Sequence, residues 1–363
     1  MKIAIIGGGF YGCCMANSLK RLHGANIQID IFDRSESLLS RAATNNQSRL
    51  HLGFHYPRST ETIAQTIAGV SSFVEEFGAC IDYPKNNLYA VHRDGYVDFN
   101  EYMVAMDDHD LKYDVLPIEN APYFRNPSHI EGIIRVEEGV IRLADMASLI
   151  LSKLDAKVYC SAIVTSVDPD RGVVTTGGKA YEGYDAIVNA TYTDNNIGMP
   201  QEKRFELKFE LAAMALVESP YGDDTALTIM DGPFVSLYPA GYGLSTLSSV
   251  THTPFTSCST VAELETRLLK VRESGVDNQV IENILAHGNN VLDLDLRFDD
   301  VKSVWVAPKA KFLHDLYDQR LADIRVHNKL ISVMCGKLDA VHQTVDKVLK
   351  VLEDISNTSL VKV

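Results

Sequence analysis

The chain has 363 residues, enough for two domains sharing a large core, and its 46% apolar content is ordinary for a globular protein. A net charge of -14 and a pI near 5.2 argue against nucleic acid as a partner, since phosphate binding needs a basic face. No apolar run reaches the roughly 20 residues of a membrane span and no basic-plus-apolar leader precedes the first strand, so a cytoplasmic protein without a membrane span is expected.

The first expected element is a short apolar strand, Ile3 to Ile6, followed at once by Gly7-Gly8-Gly9-Phe10-Tyr11-Gly12. Gly7 permits the tight turn, Gly9 lets backbone approach a pyrophosphate, and Gly12 lets the next helix pack close to the strand. The anion then rests on the unpaired N–H groups of the helix N-terminus. That helix is expected over Tyr11 to His23, with a stop at Gly24, and a second strand, Ile27 to Phe32, ends in Asp33. The acid lies 21 residues past Gly12, where a carboxylate accepts hydrogen bonds from adenosine ribose hydroxyls.

A polar stretch leads to Asn46-Gln47-Ser48-Arg49-Leu50-His51-Leu52-Gly53-Phe54-His55-Tyr56-Pro57-Arg58, too rich in polar and aromatic groups for a plain strand. Ser59 caps an expected helix, Thr60 to Phe77, that Gly78 closes. Short strands follow (Leu88 to His92, Ile133 to Val136) around a helix near Phe99 to Met106. Arg142 to Leu154 is amphipathic, with Leu143, Met146, Leu149, Ile150 and Leu154 at helical spacing. A strand pair, Lys157 to Val167 and Val173 to Thr176, precedes Asp185 to Thr191, which reads as a buried parallel strand whose tip meets a ligand. Residues 204–252 read as antiparallel sheet, 261–287 as a helical block, and Val301 to Ala307 as a strand. The chain closes with strands at Asp323 to Val326 and Leu330 to Met334, then Cys335-Gly336 and a helix from Leu338 to Asp354. Parallel α/β character is thus interrupted by antiparallel material.

These motifs resemble, in order, the FAD-dependent oxidoreductases of the D-amino-acid oxidase superfamily, which includes glycine and sarcosine oxidases, glycerol-3-phosphate dehydrogenase and L-2-hydroxyglutarate dehydrogenase. Gly7 to Gly12 and Asp33-Arg34 match the adenosine-diphosphate end. Asn46 to Gly53 resembles the loop beside the flavin ring, Val164 the valine that meets adenine, and Asp185 to Thr191 the Val-Asn-Ala-Thr-Gly strand, with Tyr192 where glycine is usual. Ile331 to Leu338 resembles the closing strand that aims a second helix N-terminus at the flavin. The resemblance implies an α/β fold: a Rossmann-like, glutathione-reductase-type FAD-binding domain with an inserted α+β substrate domain built on an antiparallel sheet. The FAD-binding domain is expected to be discontinuous, at 1–78, 140–200 and 318–356, with the substrate domain at 79–139 and 201–317.

The expected FAD contacts are Gly7, Gly9, Phe10, Tyr11, Gly12, Asp33, Arg34, Asn46, Arg49, His51, Val164, Ala190, Thr191, Gly336, Lys337 and Leu338. His51 is the first candidate to take a substrate proton, because histidine titrates near neutrality. His55, Tyr56 and Arg58 follow as catalytic candidates. Arg58, Tyr238, His252 and Arg320 are candidates for holding the substrate, the arginines through bidentate contact with a carboxylate. The six cysteines (Cys13, Cys14, Cys80, Cys160, Cys258, Cys335) show neither C-x-x-C nor metal-ligand spacing, so no metal is expected.

The function expected is hydride transfer from a CH–NH or CH–OH bond of a small polar substrate, such as an amino or hydroxy acid, to flavin, with the electrons passed to a separate acceptor. Two alternatives share the glycine turn. An NAD-dependent dehydrogenase would accept Asp33 but leave the Gly336 segment without a role; a flavin-binding scaffold protein would hold the cofactor without turnover.

Overall fold

The structure, a computed structural model, describes residues 1–314 and 322–360, so Arg320 lies outside the described residues. Its centre is a six-stranded sheet in the order Asp323–His327, Leu330–Met334, Ala186–Asn189, Lys2–Ile6, Gln28–Phe32 and Lys157–Tyr159. All neighbours are parallel except the first pair. Ile3 to Ile5 are fully buried because helices and loops cover both faces, which is why the strand reads as an unbroken apolar run. Helices Phe10–His23, Thr60–Phe77, Leu143–Ser152 and Val341–Leu360 pack around it in one core that includes Met15, Leu19, Phe73, Phe77, Met146 and Val345.

A nine-stranded sheet draws on residues between and beyond those strands: Asn86–His92, Tyr113–Leu116, Ile130–Val136, Leu207–Glu218, Thr225–Met230, Val235–Gly241, Leu244–Ser249, Pro254–Cys258 and Val301–Phe312. It is antiparallel except where Thr225–Met230 runs parallel to Asn86–His92. A small sheet ties the two halves together. In it Arg49–Leu50 pairs with Gly139–Ile141, which also pairs with Ile81–Asp82. Among the described residues no helix is long and apolar enough to cross a membrane.

Several expectations need correction. The stretch from Lys157 to Val167 is not one strand: Ser161 takes a φ of 51°, and the chain turns from the central sheet at Lys157–Tyr159 into a separate three-stranded sheet at Val164–Asp168. The helical block is two helices, Val261–Ser274 and Asn278–Val291, parted at Gly275 with a φ of 79° and restarted by the Asp277 carboxylate, which accepts from Gln279 N–H. The strand that starts at Val301 runs on to Phe312, because it pairs with the neighbouring strand from Leu207 to Val217. The final helix begins as a 3-10 turn, Leu338–Ala340, before Val341.

Candidate active site

The C-terminal ends of four parallel strands open into one cleft of about 540 Å³, lined there by Ile6, Gly7, Phe32, Asp33, Ala190, Thr191, Cys335 and Gly336. Open parallel sheets bind ligands outside the carboxyl ends of their strands. The glycine turn forms one wall. Gly7 has a φ of 98°, and a Cβ there would sit 2.7 Å from the carbonyl oxygen of Ala190; a Cβ on Gly12 would sit 1.9 Å from the carbonyl oxygen of Gly7. Both glycines are therefore demanded by the protein's own packing. At Gly9 a Cβ would meet no protein atom within 4 Å, so that position faces open space in the cleft. The helix that starts at Phe10 has no acidic residue in its first turn and no side-chain cap, which leaves its N–H groups and positive dipole end available to an anion.

Asp33 sits at the tip of the second strand. Its carboxylate accepts from Gly8 N–H at 2.6 Å and Ser35 N–H at 2.7 Å, which both shapes the turn and fixes the acid in the cleft wall. The guanidinium of Arg34 bridges Asp194 at 3.2 Å and Glu265 at 2.8 Å, and Arg41 shares Glu265 at 2.7 Å. Val164 also lines the cleft. Replacing Asp33 with Ala removes the bonds that shape the turn and, in the expected complex, a charge-assisted hydrogen bond to the ribose worth about 1.5–3 kcal/mol. An affinity for FAD reduced by about ten- to a hundredfold is the expected outcome in a fluorescence titration; an unchanged affinity would contradict a role for Asp33 in the cleft.

The other end of the cleft is built by the 46–58 loop. The Asn46 amide donates to Ala42 and Ala43 carbonyls and its oxygen accepts from Ser48 N–H, so this side chain mainly holds the loop in shape. Arg49 is 6% exposed yet lines the cleft. Its guanidinium lies 4.1 Å from the Tyr238 ring centroid and donates to Thr228 Oγ1 at 2.7 Å, while Nε and Nη2 are buried with no hydrogen-bond partner among the described residues. His51, His55 and Tyr56 form a ring cluster with centroids 5.3 to 5.4 Å apart, and all three line the cleft. Arg58 pairs with Asp231 and lies 5.1 Å over the Tyr96 ring.

The closing segment completes the wall with Gly336, Lys337 and Leu338. The Tyr11 hydroxyl donates to the Lys337 carbonyl at 2.5 Å, pinning this last segment to the first helix. The Lys337 ammonium sits 4.6 Å over the Tyr56 ring and 3.7 Å from Asp339. Burial pushes the Asp339 carboxyl up to about 6, with Lys337 opposing. The folded state thus binds this proton more tightly than an unfolded aspartic acid with an ordinary pKa of about 3.9. The associated stability is complete below pH ~4 and is lost as pH rises through ~6, a change of about 3 kcal/mol. The fall of Tm across that window should be shallower in Asp339→Asn than in the wild type, and parallel curves would remove Asp339 from the account.

Two expected substrate contacts do not reach the cleft. Tyr238 lies inside its strand, fully buried, with its ring under Arg49 and its hydroxyl at 3.1 Å from Asn87 Nδ2. It supports Arg49 from behind. His252 is absent from the lining and turns its ring towards His287, 5.7 Å away. Gly12 does not line the cleft either; it serves the packing beneath it. Cys335 does line it, but burial pushes its thiol far up, out of the reactive range. Tyr192 keeps a φ of 68°, so the backbone there has the conformation that glycine would adopt freely. Glu138 and Tyr89 escaped the sequence reading, because their place behind His51 depends on strand register alone.

The fold sets a dinucleotide-type glycine turn at one end of the cleft and walls the other with histidine, tyrosine and arginine. The family model described as FAD dependent oxidoreductase (DAO) matches residues 2–307, and the chain belongs to that family. FAD is therefore its cofactor, which sets the nicotinamide alternative aside. The chain is 30% identical over 360 residues to the FAD-dependent monooxygenase FPY4 of Fusarium mangiferae, covering 98% of this chain and 92% of that one. It is 24% identical over 259 residues to the FAD-dependent monooxygenase kojA of Aspergillus flavus, covering 66% and 58%. Among solved structures, glycine oxidase from Geobacillus kaustophilus aligns with a TM-score of 0.73 at 13% identity, over 97% of this chain and 94% of that one. The L-alpha-glycerophosphate oxidase of Mycoplasma pneumoniae, solved with FAD bound, aligns with a TM-score of 0.74 at 15% identity over the same shares, 97% and 94%. These two likenesses are of fold.

Proposed function

We propose that this FAD-dependent oxidoreductase oxidises a CH–NH or CH–OH bond of a small polar substrate, such as an amino or hydroxy acid. The observation that carries the reading is the cluster of His51, His55 and Tyr56 at one end of the cleft, with the Arg58–Asp231 pair beside it. Bound there, FAD supplies the hydride acceptor. Gly7, Gly9 and the N-terminus of the first helix would hold the pyrophosphate, Asp33 the ribose, and Arg49 would set its positive charge beside the ring end. His51 takes the proton from the substrate heteroatom, and Arg58 orients a substrate carboxylate at the mouth while Asp231 steadies it. We divide the chain into an FAD-binding domain (1–78, 140–200, 318–356) and a substrate domain (79–139, 201–317), a reading supported by the membership of the two large sheets. Six free cysteines suit a reducing compartment such as the cytoplasm.

The test is a panel of amino acids and hydroxy acids mixed with the holoprotein under argon, following bleaching of the flavin. Reduction by a member of either class is expected; a flavin that none of them bleaches would overturn the reading and favour a scaffold. A second reading, oxygen insertion, is favoured by the names of the relatives that align along the chain, FPY4 above all. It requires label from isotopic oxygen gas in the product, whereas an oxidase returns all the oxygen consumed as hydrogen peroxide.

A further inference from the structure

Behind the ring cluster lies a carboxylate with no place in the roles above. Glu138 is fully buried and does not line the cleft. The antiparallel pairs Arg49 with Val140 and Leu50 with Gly139 carry His51 opposite Glu138. One carboxylate oxygen accepts from Leu52 N–H at 2.6 Å and lies 4.0 Å from His51 Nδ1; the other accepts from the Tyr89 hydroxyl at 2.5 Å. Tyr89 in turn accepts from Arg49 Nη1 at 3.4 Å. The carboxylate thus holds the loop on both sides of His51, and reaches Arg49 through one hydroxyl.

We propose that Glu138 is the positioning residue of the flavin-ring end of the cleft: it fixes the loop that carries Arg49 and His51 and supplies the negative charge that offsets Arg49. The inference rests on the reading of that end as the flavin-ring site. An anchor for the loop alone needs no charge, and burying one costs several kcal/mol unless it is matched. Burial raises the proton affinity of Glu138, while the bonds from Tyr89 and Leu52 and the charges of Arg49 and Lys337 pull it back towards the anion. Without the carboxylate, the charge of Arg49 stands unmatched at the ring end, and an electron-rich ring is better tolerated.

The experiment compares holoproteins of the wild type, Glu138→Gln, Glu138→Asp and Tyr89→Phe by the midpoint potential of their bound FAD and by their affinity for sulfite, an anionic probe of the ring. Glu138→Gln removes the ionisable group; Tyr89→Phe removes the hydroxyl that donates to the carboxylate and favours its anion. Both should shift the potential to more positive values and tighten sulfite binding several-fold, while Glu138→Asp stays near the wild type. A structural anchor would lower Tm and leave potential and sulfite affinity unmoved, and that result in Glu138→Gln and Tyr89→Phe overturns the proposal. If Glu138→Gln takes up no FAD, Tyr89→Phe decides alone by the same readouts. None of these measurements needs a substrate, so an inert response to the substrate panel would sink the proposed function while leaving this inference to stand or fall by itself.

Discussion

Gly9→Ala should give a protein that folds like the wild type but cannot hold FAD tightly, whereas Gly12→Ala should lose both its FAD and part of its stability. The contrast follows from what each new methyl group would meet. At Gly9 the backbone has a φ of -77°, open to any residue, and the added carbon finds no protein atom within 4 Å. Only a ligand lying against that turn can object to it. At Gly12 the added carbon lies 1.9 Å from the Gly7 carbonyl oxygen, and Gly7 has no room to retreat, being close against Ala190 with its N–H bonded to the Phe32 carbonyl at 2.8 Å. Overpacking of this kind costs about 1–3 kcal/mol or more. For Gly9→Ala that converts to FAD affinity reduced by roughly ten- to a hundredfold, with the Tm of the apoprotein unchanged. For Gly12→Ala the same energy appears as a fall of about 2–4 °C in Tm per kcal/mol. Flavin absorbance per chain and apoprotein melting curves read both. Full FAD content in Gly9→Ala would mean that no phosphate approaches the turn.

Features that depend on neighbours in sequence were legible before the fold. The glycine turn, its helix and Asp33 lie within one βαβ stretch, where each residue's role follows from local geometry. The helix Thr60–Phe77 was legible down to its Ser59 cap, because cap and stop are local signals. What depends on register was not. Tyr238 and its neighbours alternate between sheet faces, and sequence alone does not say which face meets the cleft. Glu138 lies beside His51 only because two strands distant in sequence pair at Leu50 and Gly139. Tyr192 marks the opposite case: the residue departs from the family pattern, yet the left-handed backbone persists with a φ of 68°, and the side chain packs against both the core of the central sheet and the cluster that holds Phe209. The break at Ser161 has the same origin, since its N–H bonds to the Ser35 carbonyl from another part of the chain.

His51→Ala should leave FAD bound and slow its reduction by substrate about 10²- to 10⁴-fold, the usual contribution of a positioned acid or base. The FAD contacts drawn from the glycine turn, Asp33 and the closing segment do not involve this side chain, so cofactor content should hold. What changes is the group at the ring end. The imidazole lies between the His55 and Tyr56 rings on one side and the Glu138 carboxylate on the other, with its Nδ1 buried. His51 also lines the cleft, so under the proposed function its imidazole is the group within reach of the substrate proton. Truncation leaves a hole of imidazole shape walled by rings, so added imidazole should restore part of the rate, which a merely structural histidine would not allow. Stopped-flow reduction under argon, with any substrate that bleaches the wild type, measures both effects. A reduction rate equal to the wild type's would take His51 out of the chemistry and leave its neighbours His55 and Tyr56 to be tested for the proton transfer.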